Sequence, residues 1–329
     1  MSKEWPATLL ERFDTVRLVV LGDFLIDEFL FGEISRVSRE APVLILHYQE
    51  TRICPGGAAN TVANAAALGA RVLPIGVVGD DRGADELVAM WPDNVDKSGL
   101  IREPRARTTR KSRILAGSFH SFQQQVVRMD YENPIPHRRA WERRVLSDLS
   151  AALPETGALV ISDYSLGNIT ARIKREAMAL AHKYRIPVII DSRDHPASFA
   201  GATTVTPNIT EVEASLRRAI GHDLEKLERY GERARRKWRI EALLVTRGKL
   251  GMSLFTDSGV VHIRAHGSDE AVDVTGAGDT VAATYAAALA AGADFEVAAR
   301  LANVSAGLVV MKKGTSTVTR DELANAMAF

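Results

Sequence analysis

Short apolar runs alternate with longer amphipathic segments along this chain. The apolar runs predict buried strands, and helical periodicity predicts helices between several of them; the strands are expected at Arg17–Gly22, 72–78, 158–162, 187–190 and Ala242–Thr246, and the helices at 59–68, Ala171–Tyr184 and Leu224–Trp238. Strands that alternate with helices are typical of an α/β domain with a mainly parallel sheet. In such domains ligands bind at the carboxyl ends of the strands.

Two segments break this rhythm, 28–52 and 108–128. Both have strand-like content, such as VLILHY and QQVVRM, without an intervening helix. They predict extra antiparallel strands that project from the main sheet as a lid, although they could instead extend the edge of that sheet. Because no linker rich in Gly, Pro or Ser is present, one domain over residues 1–329 is favoured over two.

Composition and charge narrow the class of protein. Hydrophobic residues make up 46% of the 329 residues and charged residues 25%, as in soluble globular proteins. The 42 Lys and Arg nearly balance the 41 Asp and Glu, which does not favour a nucleic-acid or anionic-membrane binder. The single cysteine, Cys54, excludes an internal disulfide. No apolar run has the length of a membrane span and the N-terminus does not resemble a secretory signal, so we expect a cytoplasmic protein.

A basic stretch lies in the second lid segment. Residues 102–113 contain six basic residues and one acidic residue. The stretch fits a solvated loop, and its place in the lid also fits a local anion site. Nucleic-acid binding is disfavoured because no aromatic residues are interleaved with these charges.

The sequence DVTGAGDT, residues 273–280, immediately precedes an Ala-rich helical segment. Gly276, Ala277 and Gly278 can present consecutive N–H groups at a helix N-terminus, where the helix dipole also favours an anion. Asp279 beside this anion hole is placed to deprotonate a hydroxyl that attacks phosphorus. The alternative is that Asp279 only caps a helix that begins at the glycines.

Two further elements carry groups suited to a sugar. In PGGAANTVANAAALG, residues 55–69, Gly57 allows close backbone approach and Asn60 can hydrogen-bond a hydroxyl. Asp27, just after the first strand, can accept two adjacent hydroxyls, although a capping or surface role fits equally. No P-loop sequence is present, and the glycines at 276 and 278 lack the third glycine of a dinucleotide-binding fingerprint.

These three elements, in this order, resemble the PfkB (ribokinase-like) family of carbohydrate kinases, and the resemblance covers essentially the whole chain. It implies a ribokinase-like three-layer α/β/α domain with a small β lid. It also implies ATP-dependent transfer of the γ-phosphoryl group to a sugar hydroxyl, with Mg²⁺ and often a stimulating K⁺. Asp279 then corresponds to the catalytic base, and Gly276, Ala277 and Gly278 to the anion hole.

The resemblance assigns further roles residue by residue. Asn208 and Glu211 match the N-x-x-E element that arranges Mg²⁺ and phosphate through water, although Glu211 alone fits an acid in the first turn of a helix. The remaining roles are nucleotide binding by Thr246, Arg247, Gly248 and Asn303, a monovalent-cation loop with Asp273, Thr275 and Gly314, and sugar-hydroxyl contacts at Asp27, Gly57 and Asn60.

Within the family the resemblance is closest to kinases that phosphorylate D-glycero-β-D-manno-heptose 7-phosphate at O1 in lipopolysaccharide heptose synthesis. The segments SRVSREAPV and GTSTV carry this likeness. Lys111, Arg113 and Arg128 would bind the phosphate already on the sugar. The chain lacks the H-x-G-H nucleotidyltransferase motif, so we expect kinase activity alone. Ribokinase, fructokinase or another family sugar kinase is the alternative; a non-catalytic sugar or nucleotide sensor is disfavoured by the intact loop around Asp279.

One departure from the family concerns the phosphate site. Relatives usually have D-P-K-G after the fourth strand, whereas this chain has DSRD at 191–194. A lysine near the phosphates is therefore missing, and Arg193 would replace it imperfectly. By analogy with other exposed lid strands, we also expect a homodimer through the lid.

Overall fold

The computed structural model describes residues 5–117, 124–132, 135–136, 139–193, 196–267 and 271–327. Its strands are β1 (Arg17–Gly22), β2 (Phe24–Val37), β3 (Leu44–Gly57), β4 (Arg71–Gly79), β5 (Leu100–Glu103), β6 (Thr109–Gly117), β7 (Gln124–Tyr131), β8 (Ala158–Asp163), β9 (Val188–Ser192), β10 (Thr204–Val205), β11 (Ala242–Thr246), β12 (Met252–Thr256) and β13 (Gly259–Ile263). Its α-helices are α1 (Trp5–Glu11), α2 (Ala58–Ala67), α3 (Arg82–Ala89), α4 (Arg139–Ala152), α5 (Ala171–Tyr184), α6 (Ile209–Leu216), α7 (Leu224–Trp238), α8 (Ala277–Ala290), α9 (Phe295–Val309) and α10 (Arg320–Met327).

Nine strands form the main sheet, in the order β13-β12-β11-β10-β9-β8-β1-β4-β5. The pairs from β11 to β5 are parallel, and β12 and β13 add an antiparallel edge. The predicted α/β class with a mainly parallel sheet is therefore confirmed. The predicted strands and helices agree with the observed ones to within two residues at each end.

Helices cover both faces of the main sheet because the central strands are apolar on both sides. In β1, Leu18 and Val20 pack into one buried cluster with α2, α8 and α9, and Val19 and Leu21 pack into the other with α4, α5 and α7. This alternation produces the three-layer α/β/α arrangement. Among the described residues, no helix combines the length and the apolar character needed to cross a membrane.

The two irregular segments form a separate four-stranded sheet, in the order β3-β2-β6-β7. We call it the small sheet. It does not extend the edge of the main sheet, although residues 118–123 of the second segment lie outside the described residues. The expectation of antiparallel strands was wrong for one pair, because β2 and β6 are parallel. β1 and β5 run in the same direction, because each pairs in parallel with β4. Since β2 follows β1 and β6 follows β5, β2 and β6 leave the main sheet in the same direction.

Candidate active site

A cavity of about 360 Å³ lies between the small sheet and the carboxyl ends of β8 to β11. It brings together many residues that the sequence predicted far apart: Asp27, Gly57, Lys111, Arg113, Arg128, Asn208, Glu211, Thr246, Thr275, Gly276, Gly278 and Asp279. A larger cavity of about 450 Å³ lies at the opposite end of the main sheet, where Arg17 pairs with Glu155. The cavity beside the small sheet is the candidate site because the predicted catalytic and phosphate-binding groups converge there.

Asp279 lies in the first turn of α8 and lines this cavity. The helix begins after Gly276, whose φ of +79° is readily adopted by glycine. A Cβ at this position would also lie 2.5 Å from Asn60 Nδ2. The Ala277 N–H, one of the three predicted anion-hole donors, instead donates to the Val274 carbonyl at 3.3 Å. The predicted anion hole is therefore reduced to the N–H groups of Gly278 and Asp279.

Two hydrogen bonds hold the Asp279 carboxylate. Asn60 Nδ2 donates to Oδ2 at 2.9 Å, and the Tyr164 hydroxyl donates to Oδ1 at 2.8 Å. Asn60 Nδ2 also donates to the Gly276 carbonyl at 3.2 Å. The amide predicted to contact a sugar hydroxyl is therefore already engaged with the predicted base and its loop.

Burial and neighbouring negative charge raise the pKa of Asp279 well above its ordinary value. The hydrogen bonds from Asn60 and Tyr164 oppose this rise, because they stabilise the ionised form. The largest acidic contributor is Asp191, whose own pKa is raised to about 7 by burial and by the charges of Glu211 and Asp163. A buried carboxylate with a raised pKa fits a general base better than an ordinary surface aspartate does.

Each predicted phosphate-binding cation on the small sheet is paired with a carboxylate. Arg113 on β6 forms an ion pair with Asp27 on β2, and Arg128 on β7 contacts Asp130 at 2.9 Å. Lys111 Nζ lies 3.5 Å from Glu132 and 5.6 Å from the centre of the Tyr164 ring. A phosphate entering this cavity would have to compete with these carboxylates.

Asn208 and Glu211 form a reciprocal cap at the start of α6. The Glu211 N–H donates to Asn208 Oδ1, and the Asn208 N–H donates to Glu211 Oε2, both at 2.9 Å. This is the helix-terminal role that Glu211 alone was expected to fit. Both residues also line the cavity, so the predicted role near Mg²⁺ and phosphate stays open to test.

The other predicted nucleotide and cation residues, Arg247, Gly248, Asn303, Asp273 and Gly314, are not among those that line the cavity. The Arg247 guanidinium donates to Ser253 Oγ at 3.3 Å, Gly248 begins the next turn with a φ of +56°, and Asn303 Nδ2 donates to the Arg264 carbonyl at 2.8 Å. Asp273 accepts the N–H groups of Thr275 at 2.9 Å and Gly314 at 3.1 Å. Their roles toward a nucleotide or a monovalent cation stay predictions.

Comparison with known proteins agrees with this arrangement. The sequence profile described as pfkB family carbohydrate kinase matches residues 17–322. The chain belongs to the pfkB family of carbohydrate kinases. The family resemblance predicted from the two glycine-rich motifs and Asp27 is thereby confirmed.

The chain is also similar to two proteins called Bifunctional protein HldE. It is 40% identical to the one from Geobacter sulfurreducens, over 100% of this chain and 66% of that protein. It is 39% identical to the one from Coxiella burnetii, over 97% of this chain and 65% of that protein. The chain thus spans about two thirds of the length of these relatives.

Solved structures show the same fold at low sequence identity. Ribokinase from Arabidopsis thaliana, complexed with ribose and ATP, matches with a TM-score of 0.74 and 18% identity, over 95% of this chain and 99% of that one. Phosphofructokinase-2 from Escherichia coli, complexed with potassium, matches with a TM-score of 0.77 and 17% identity, over 95% and 98%. The predicted ribokinase-like fold is therefore confirmed.

Tyr164 and Asp191 line this cavity and Asp23 holds the Tyr164 backbone, and none of the three was predicted as a site residue. Each lies at or just after the carboxyl end of a parallel strand, namely β1, β8 and β9. The rule that ligands bind at these ends was a usable signal for all three. The rule alone could not identify these residues, because the order of the strands in the sheet decides which carboxyl ends are neighbours.

Proposed function

We propose that the protein is an ATP-dependent sugar kinase that phosphorylates D-glycero-β-D-manno-heptose 7-phosphate at O1, with Asp279 as the base. The observation that carries this proposal is the buried Asp279 carboxylate at the N-terminus of α8, in a cavity that also contains Lys111, Arg113 and Arg128. The similarity to the HldE proteins supports the choice of a heptose. We place the reaction in the cytoplasm, where ATP is available.

The proposed reaction is a direct transfer of the γ-phosphoryl group. The sugar hydroxyl gives its proton to the Asp279 carboxylate, and its oxygen attacks the γ-phosphorus of ATP. The bond between that phosphorus and the β,γ-bridging oxygen breaks, and ADP leaves with the bond's electron pair. The first-turn N–H groups of α8, at Gly278 and Asp279, would stabilise the charge on the transferred group.

The proposed Mg²⁺ fits the oxygen-rich side of the cavity formed by Asp191, Asn208 and Glu211. Among the described residues, no cluster of three or more His, Cys, Asp or Glu side chains forms a metal cage. Mg²⁺ usually keeps several waters and binds through substrate phosphates with one or two carboxylates, which Asp191 and Glu211 would supply. When bound it neutralises phosphate charge. K⁺ would use the loop that Asp273 holds with Thr275 and Gly314.

A second candidate function is phosphorylation of a sugar that carries no phosphate. The observation in its favour is the pairing of Lys111, Arg113 and Arg128 with carboxylates, which leaves little uncompensated positive charge. Arg193 also lines the cavity and is exposed, which favours the phosphorylated substrate. The two candidates differ in the charge that the substrate brings.

The deciding experiment measures ADP release from ATP and Mg²⁺ with a panel of sugars and sugar phosphates. The panel pairs each sugar with its phosphate: ribose, fructose and the manno-heptose. The proposal expects the heptose 7-phosphate to give the highest kcat/KM and the Asp279→Asn variant to be inactive with it. A higher kcat/KM for an unphosphorylated sugar would select the second candidate. Purified protein with no phosphorylation of any sugar would favour a sensor.

We also propose a homodimer through the small sheet, which would act as a lid. Several large apolar side chains of this sheet and its connecting loop are exposed: Ile34, Val37, Val43, Leu44, Tyr48, Val126, Val127, Met129 and Tyr131. An apolar surface of this kind favours burial against a partner. Sedimentation equilibrium should give twice the chain mass of 35.8 kDa, and Leu44→Asp should shift it toward the monomer. A monomeric wild-type protein would contradict this proposal.

A further inference from the structure

Tyr164 contacts the proposed base directly, although the sequence did not predict it as a site residue. Its hydroxyl bonds Asp279 Oδ1 while Asn60 bonds Oδ2. Donors on both oxygens fix the rotation of the carboxylate. Each oxygen still keeps lone-pair capacity for a proton from a substrate hydroxyl.

The loop that carries Tyr164 is anchored by a buried carboxylate. Asp23, fully buried after β1, accepts the N–H groups of Tyr164 at 2.8 Å, Leu166 at 3.0 Å and Asn168 at 3.1 Å. Ser165, between the first two, has a φ of +60°, which non-glycine residues rarely adopt. The loop is thus held in one conformation, and that conformation directs the Tyr164 hydroxyl at Asp279.

We propose that Tyr164 is a positioning residue for phosphoryl transfer, which holds the Asp279 carboxylate toward the incoming hydroxyl and keeps it ionised. This inference rests on the proposed function of Asp279 as the base. Its geometric support is the pair of donors on Asp279 and the anchored loop behind Tyr164. Burial and the Asp279 charge raise the pKa of Tyr164 well above its ordinary value, so its hydroxyl remains a neutral donor at working pH.

Charged groups from several elements line the cavity around this hydrogen bond, and two of them, Asp191 and Asp27, raise the pKa of Asp279. The charged groups come from the small sheet, from β9 and the residues after it, and from α6: Asp27, Lys111, Arg113, Asp191, Arg193 and Glu211. Because the Asp191 charge also raises the pKa of Asp279, an absolute pKa does not isolate the effect of Tyr164. A comparison of proteins that differ only at position 164 does isolate it.

The direct test measures the pKa of Asp279 in the free protein by carboxyl ¹³C NMR, with the resonance assigned by its loss in Asp279→Asn. In Tyr164→Phe, the loss of one donor to the carboxylate should raise this pKa by about one unit. The matched control is Tyr285→Phe. Tyr285 is buried in α8, the helix that also carries Asp279, and its hydroxyl lies near Thr204. The control should leave the pKa of Asp279 unchanged.

A second variant tests the same hydrogen bond if Tyr164→Phe folds poorly. Replacing Tyr164 by fluorotyrosine keeps the ring and the hydroxyl but makes the hydroxyl a stronger donor. It should lower the pKa of Asp279, opposite to the phenylalanine variant. A purely structural role for Tyr164 would not produce shifts in opposite directions.

Kinetics supply the functional readout. With the best substrate of the panel, the acid limb of the kcat profile should move to higher pH in Tyr164→Phe, while KM for ATP stays within about twofold. Unchanged titration of Asp279 in both Tyr164 variants would overturn the inference and leave the proposed function standing. An Asp279→Asn variant with wild-type turnover would instead overturn the proposed function.

Discussion

Asn60 at the start of α2 donates a hydrogen bond of 2.9 Å to Asp279 at the start of α8. The contact joins the two glycine-rich motifs, which lie 219 residues apart in the chain. Asn64, one turn after Asn60, donates to Asn60 Oδ1 at 3.0 Å and accepts from Thr280 at 3.1 Å. The two helix N-termini therefore form one hydrogen-bonded unit, with the Asp279 carboxylate at its cavity side.

The first prediction concerns the proposed base. Asp279→Asn should lower kcat by about two to three decades, because general-base catalysis contributes roughly 10²–10⁴. ATP binding, measured by calorimetry, should be nearly unchanged. The matched control is Asp294→Asn, which alters the N-cap of α9, where Asp294 accepts the Val297 N–H at 2.8 Å. If Asp279→Asn keeps more than a tenth of wild-type turnover, the assignment of Asp279 as the base is wrong.

The second prediction concerns the cations of the small sheet. Lys111→Gln or Arg128→Gln should raise KM for a sugar phosphate about tenfold to a hundredfold, because a charge-assisted hydrogen bond contributes about 1.5–3 kcal/mol. Neither change should greatly affect KM for the unphosphorylated sugar. Steady-state kinetics on both substrates provide the measurement.

Arg110→Gln is the control for the cation variants. Arg110 lies on β6 next to Lys111 but bonds Glu28 and Glu86, and it does not line the cavity. It should leave both KM values near those of the wild type. Equal losses on both substrates in the Lys111 and Arg128 variants would mean that these residues stabilise the small sheet.

The third prediction is that the small sheet closes when the sugar substrate binds. A kinase must admit a hydroxyl to the γ-phosphate while it excludes water, and closure on the correct substrate achieves this. Amide hydrogen exchange in 28–52 and 108–128 should slow at saturating sugar phosphate, whereas exchange in β1 should not change. ATP hydrolysis without sugar should be slower than sugar phosphorylation by several decades. Exchange that stays the same in both segments would show a fixed sheet.

The fourth prediction follows from Asp191. Its pKa in the folded protein, about 7, lies above its ordinary value of 3.8. Between these values the folded protein binds more protons than the unfolded chain, so this group makes the free energy of unfolding fall as pH rises. Asp191→Asn removes the contribution. The variant should therefore gain stability relative to the wild type from about pH 4 to about pH 7.

Denaturant unfolding in EDTA at several pH values measures this difference for Asp191. EDTA keeps Mg²⁺ from binding to the neighbouring carboxylates during the measurement. Asp93→Asn, at an exposed aspartate away from β9, is the control. Its free energy of unfolding should change with pH in the same way as that of the wild type. Parallel curves for Asp191→Asn as well would show that its carboxyl titrates alike in the folded and unfolded states.

The sequence alone determined the secondary structure and the α/β class. Hydrophobic periodicity is a local property, because the spacing of apolar residues decides which face of a helix or strand is buried. Arg17–Gly22, Ala171–Tyr184 and Leu224–Trp238 have the predicted bounds. The sequence also singled out Asp279 and its glycine loop, since the donors proposed for an anion hole are consecutive in the chain. Such features need no knowledge of which distant elements become neighbours.

Only the tertiary structure decided the contacts that join distant segments. Arg113 pairs with Asp27 across 86 residues, and Tyr164 bonds Asp279 across 115 residues. The first contact requires β2 and β6 to be parallel neighbours, and the second requires the end of β8 to lie beside the start of α8. Neither placement is encoded in a local pattern, because strand order depends on the free energy of packing the whole chain into its two buried clusters.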